Sequence, residues 1–148
     1  MAVVKVDATN EDNFKQKTFK LLPKGRYLFE ATGRNGGPLV VETAKSGNPM
    51  VVVECKCIDD KNDGEYRGIT VFDNIAITPK SEWKLVHLAL ACGSQTKDDI
   101  KERGVDLELI KGKPFEAEVD VRPPQTAADG TTYSERNRIA RYLFEPED

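Results

Sequence analysis

Phe72 stands in the run Gly68-Ile-Thr-Val-Phe-Asp-Asn74, where apolar and polar residues alternate with the period of two of a β-strand. Ile69 and Val71 share one face; Phe72 falls on the other, between Thr70 and Asn74. A phenyl ring on the wetter face of a strand suits one kind of chemistry, the stacking of an unpaired nucleobase, worth about 1 to 3 kcal/mol per base. Thr70 and Asn74 would be its hydrogen-bonding neighbours. The competing reading is that a loop, the N-terminal arm or a second copy covers the ring and makes it core.

Other side chains of suitable type fall at strand ends and in loops. Tyr66 and Arg67 precede the strand of Phe72, and Tyr133 opens the last strand. Lys45 and Asn48 lie in a Ser-Gly-Asn-Pro turn, where Asn48 also has the simpler task of bonding its own backbone. Arg136 and Arg138 share a face of the final strand, with Arg141 on the other, and Lys111 and Lys113 precede the strand before it. These cations form a candidate phosphate stripe. Glu116, Glu118 and Asp120, outward on the neighbouring strand, compete for the same arginines as cross-strand ion pairs. Trp83, in helical register with Val86 and Leu90, reads as core at one end of the sheet.

Catalysis lacks its parts. There is one histidine, His87, and neither a G-x-x-x-x-G-K-[ST] phosphate loop nor a G-x-S-x-G elbow; Cys92 has no base and orienting residue beyond His87. Zinc needs four ligands, so Cys55 and Cys57, on the strand face of Val51 and Val53, read as small hydrophobes. The expectation is a protein that is not an enzyme and uses no metal or cofactor. Three cysteines and a start without a basic head and greasy centre predict reduced thiols in a cytoplasm.

The 148 residues predict a single domain over 1–148, with residues 1–22 in part a flexible arm and 145–148 a short acidic tail. Hydrophobic residues at 39% and charged ones at 32% give a globular composition, and no apolar run nears the roughly 18 residues of a membrane helix. A net charge of −3 removes any blanket attraction to polyanions, so nucleic-acid contact must be local.

Strands are predicted over 26–32, 50–58 and 68–77. The short apolar run 39–41 belongs to a long decorated hairpin connection between the first two. Thr78-Pro79 reads as a helix start ending at Gly93, and a second helix over 97–103 has Thr96 as cap and Gly104 as stop. Residues 115–122 alternate most cleanly, and a final strand covers 131–144. The expected architecture is mainly β: a five-stranded OB-like barrel, curled to avoid exposed edges, with a helical connection between strands 3 and 4.

Three runs, Lys45-Ser-Gly-Asn-Pro-Met50, Val71-Phe-Asp-Asn-Ile-Ala-Ile-Thr-Pro-Lys-Ser-Glu-Trp83 and Glu135-Arg-Asn-Arg-Ile-Ala-Arg-Tyr-Leu143, carry a resemblance. Together they resemble a family of small phage and prophage proteins found among recombination and replication functions, regarded as OB-like and single-stranded-DNA-binding. The resemblance spans residues 22–146. It implies single-stranded DNA as partner, a recombinase, replication protein or second copy as further partners, and the cytoplasm of an infected host cell. Residues 33–41 and 94–109 depart from the family's pattern. The alternative function is an OB-like protein-interaction adaptor docking a recombination or host protein; a host-inhibitory protein is a third.

Overall fold

The computed structural model describes residues 2–10, 21–123, 125–126, 128, 130, 132–133 and 135–144. Strand β1 (Gly25–Thr32) is continued along the same line by β2 (Val41–Thr43), and both pair antiparallel with one edge of β3 (Pro49–Cys57). A single turn, α1 (Lys61–Gly64), leads to β4 (Thr70–Ala76), which covers the other edge of β3. Helices α2 (Trp83–Cys92) and α3 (Lys97–Arg103) follow. Next come β5 (Pro114–Arg122), the two-residue strands β6 (Gln125–Thr126) and β7 (Thr132–Tyr133), and β8 (Arg136–Leu143). β5 pairs with β1 and β8 with β5, so the chain is mainly β, built on a six-stranded antiparallel sheet.

Alternation builds the core. Val51, Val53 and Cys55 of β3, Val71 and Ile75 of β4, and Phe115, Ala117 and Val119 of β5 all turn inward, with Phe29 and Phe115 stacked at 5.9 Å. Leu85, Leu88 and Ala89 of α2 close one side of it. The thiols of Cys55 and Cys57 are buried as small hydrophobes. No helix of the described residues is long and apolar enough to cross a membrane.

Several expectations need correction. The sheet has six strands because the first line is interrupted by residues 33–40 and resumes as β2, and its ladder does not close into a barrel. The predicted strand over 131–144 is split: Tyr133 pairs with Gln125 in a separate hairpin, and the sheet strand starts at Arg136. Helix α2 begins at Trp83, while Thr78 makes a preceding turn, its carbonyl accepting from the Ser81 and Glu82 amides. The helix buries Leu85, Leu88 and Ala89, leaving Trp83 48% exposed: two apolar stripes fit the helical period, and the one with the leucines won the core. Leu22 is buried, its amide donating to Asn137 Oδ1, so no arm extends as far as residue 22. Residues 11–20 and the acidic tail 145–148 lie outside the described residues.

The two extra segments are both well built. Residues 33–40 leave at Gly33, where a Cβ would stand 1.9 Å from the Pro38 carbonyl oxygen. In the 94–109 link, buried Gln95 donates to Asp99 and to the Gly104 carbonyl and accepts from the Asp106 amide.

Candidate nucleic-acid interface

The outward phase of β4 presents Thr70, Phe72 and Asn74, and Phe72 is 63% exposed. Across the ladder on β3 stand Lys56 opposite Thr70, Glu54 opposite Phe72 and Val52 opposite Asn74. Lys56 is exposed, whereas Glu54 accepts a hydrogen bond from the Asn35 amide at 2.7 Å. That amide is aimed by a left-handed Asn35 (φ 54°), a conformation asparagine tolerates better than most residues. Next to it Arg34 pairs with Glu42 at 2.7 Å. The 33–38 excursion therefore borders the Phe72 face and occupies its carboxylate.

The inward phase of the same strand holds a surprise: Asp73, between Val71 and Ile75, is buried. Tyr142 donates its hydroxyl to Asp73 at 2.6 Å, and Lys84 Nζ reaches the same carboxylate at 3.1 Å. Lys84 also donates to the Ile139 carbonyl of β8 at 3.0 Å. β4 and β8, the two outer strands of the sheet, are thus drawn together by side chains from β4, α2 and β8. Burial, with the Asp73 carboxylate and the Cys55 thiol nearby, pushes the Tyr142 hydroxyl well above its usual pKa, keeping it a neutral donor.

A family model described as "Protein of unknown function (DUF669)" matches residues 5–142. The chain belongs to that family. No curated protein matches it.

The other predicted residues of this DUF669 member do not gather round Phe72. Tyr66 is half-buried, packed edge-to-face on Tyr27 at 5.7 Å, so it serves the core margin more than a ligand. Arg67 binds Asp60 through two nitrogens at 2.6 and 2.9 Å. Lys45 and Asn48 are exposed in the turn closing β2 to β3, with the Asn48 side chain bonding Ser46. Five residue steps of strand separate the base of that turn, at Pro49, from Glu54 opposite Phe72, about 17 Å at about 3.4 Å per step.

On β8 the competing ion pairs have formed. Arg138 grips Asp120 through Nε and Nη2, holding that carboxyl below its usual range, and Arg141 grips Glu118 at 2.8 Å. Arg141 shares the outward face with Arg138, contrary to simple alternation, because a bulge leaves Ala140 unopposed between Arg141 and Ile139 and restores the phase. Arg136 stands opposite Arg122, two like charges directly across the ladder, with Lys24 and Arg122 also near enough to act on Asp120. That end of the β5–β8 pair is where positive charge is least compensated by the ion pairs named.

Sequence reasoning missed Lys56, Arg122 and Asp73. For the first two the outward alternation of β3 and the register of β8 on β5 carried the signal. An aspartate in the apolar phase of a strand was itself a mark of a buried polar network. Among the described residues no group of three or more histidine, cysteine or acidic side chains is arranged to hold a metal ion.

Proposed function

We propose that this protein binds single-stranded DNA, without reading sequence, on the outer face of β3 and β4, as part of phage replication or recombination in an infected cell. One observation carries the proposal: Phe72 projects from the middle of a sheet strand with most of its surface open, flanked by Thr70 and Asn74. The strand order supports it. β1 with β2, β3, β4, then helices, then β5 and β8 is the order expected of an OB-like fold, and the Asp73–Lys84–Tyr142 network links the two outer strands although the ladder between them stays open. Stacking supplies most of the affinity, because Arg34, Arg67, Arg138 and Arg141 already hold carboxylates. Phosphate contacts fall to Lys56 and to Lys24, Arg122 and Arg136.

The ion-paired arginines favour a second reading, a protein-docking adaptor whose anchor is Phe72. Titration of fluorescent oligo-dT at rising salt separates the two. DNA binding predicts tight association at low salt, a clear preference for single strand over duplex of equal length, and a log–log slope near −3 for about four phosphate contacts. No association at low salt refutes DNA binding and leaves the adaptor.

A further inference from the structure

Trp83, His87 and Phe144 form a row of rings on the flank of α2 that faces away from the buried Leu85 and Leu88. Trp83 meets His87 at 5.0 Å and His87 meets Phe144 at 4.9 Å, both edge-to-face, and Trp83 and Phe144 are 48% and 38% exposed. The row runs into an open groove of about 860 Å³, whose apolar wall is Leu90, Ala91, Leu143 and Phe144. Arg26 and Lys97 stand on its polar side, with Glu116 as the one carboxylate lining it among the described residues. Glu118, opposite Arg26 in the ladder, is held by Arg141.

Two features select an occupant. A groove for a partner helix or peptide would be depleted of charge at its centre, whereas here two cations flank the apolar wall. Rings beside cations in a molecule of net charge −3 complement a ligand that is itself flat, apolar and anionic. From Trp83 to Ala91 the helix rises about 12 Å, room for about three bases at about 3.4 Å each.

We infer that this row and groove form a second nucleotide-binding stretch, which takes bases of a single strand on Trp83 and Phe144 and its phosphates on Arg26 and Lys97. The inference rests on the single-strand reading above and extends the DNA path from the sheet to α2.

Trp83 is the single tryptophan of the chain, so its emission reports on this place alone. Fluorescein-labelled oligo-dT is titrated into the full chain while anisotropy and Trp83 emission are followed together. The expected result is quenching of Trp83 over the same concentrations that raise the anisotropy. Lys97→Glu should lower the salt slope by about 0.7, and Phe144→Ala should weaken binding about five-fold or more. Lys97 is exposed, so its variant tests the idea even if Phe144→Ala disturbs folding. Rising anisotropy with unmoved Trp83 emission and a neutral Lys97→Glu overturns the inference, hands the groove to a protein partner and leaves the Phe72 face standing. Absence of any anisotropy change at low salt overturns both.

Discussion

Lys84→Met removes an ammonium and keeps most of its apolar stem, which isolates what the charge contributes at the seam between β4 and β8. Asp73 and Lys84 have side chains only 10% and 20% exposed, so the variant leaves a nearly buried carboxylate facing one remaining donor, the Tyr142 hydroxyl at 2.6 Å. The Ile139 carbonyl also loses its donor. Breaking a buried pair from one side costs about 3 to 5 kcal/mol. The surviving Tyr142 bond and the partial exposure of Lys84 place the expectation at the low end, about 3 kcal/mol. For a chain of this length that lowers Tm by about 6 to 12 °C. Replacing the whole network with apolar residues, Asp73→Leu with Lys84→Met and Tyr142→Phe, should melt above the single variant, because no charge is stranded. Calorimetry supplies the melting temperatures, and hydrogen exchange should show lost protection in β4 and β8 first. A Lys84→Met protein melting within about 2 °C of the parent, or a triple variant melting below the single one, refutes the assignment of the network as the fastening of that seam.

Phe72→Ala should leave the melting temperature nearly unchanged, since the ring is mostly in water, and raise Kd for oligo-dT about 5- to 150-fold by anisotropy. Asp120→Asn should cost at most about 1 kcal/mol of stability, being a surface pair, yet tighten oligo-dT binding and steepen its salt slope by freeing Arg138. Gly33→Ala drives a methyl group into the Pro38 carbonyl and should lower Tm by forcing the backbone of the 33–38 excursion apart. Burial holds the His87 pKa below 6.5, so the folded state favours the neutral ring. The resulting stability is present above 6.5 and is lost as pH falls through the lower folded-state value; Tm measured from pH 7 to about 5 should show this loss, and His87→Gln should reduce it.

Elements whose period is enforced by a one-sided core were legible before any coordinates. The inward residues of β3, those of β5 as far as Val119, and the cap and stop of α3, Thr96 and Gly104, are local consequences of side-chain type and stand where alternation and capping put them; Val121, expected inward with them, is exposed near the end of β5. What escaped was decided by competition between comparable options. Trp83 lost its place in the core to Leu85 and Leu88 because both stripes fit one helical period. Arg141 changed face through a bulge that no alternation count contains. The arginines of β8 had two possible anions, a distant phosphate or a carboxylate one strand away, and only the register of β8 on β5 decides that Asp120 and Glu118 are within reach. Phe72 was the easier case, since a ring in the polar phase of a strand had to be either covered or offered.

Phe72 and Asp73 are consecutive, and their opposite directions tie the buried network to the candidate surface. Fastening Asp73 to Tyr142 and Lys84 fixes the path of β4 from inside the sheet, and a strand cannot rotate one residue without carrying its neighbour. The strand is thereby held with the ring on its outward face. Preorganisation of this kind matters most where charge contributes least, because a stacked base must then be gripped without the help of a strong electrostatic field. An acidic chain that has two of its sheet arginines, Arg138 and Arg141, held by carboxylates has few ways to hold a polyanion, and an exposed ring on a fixed strand is one that salt weakens little.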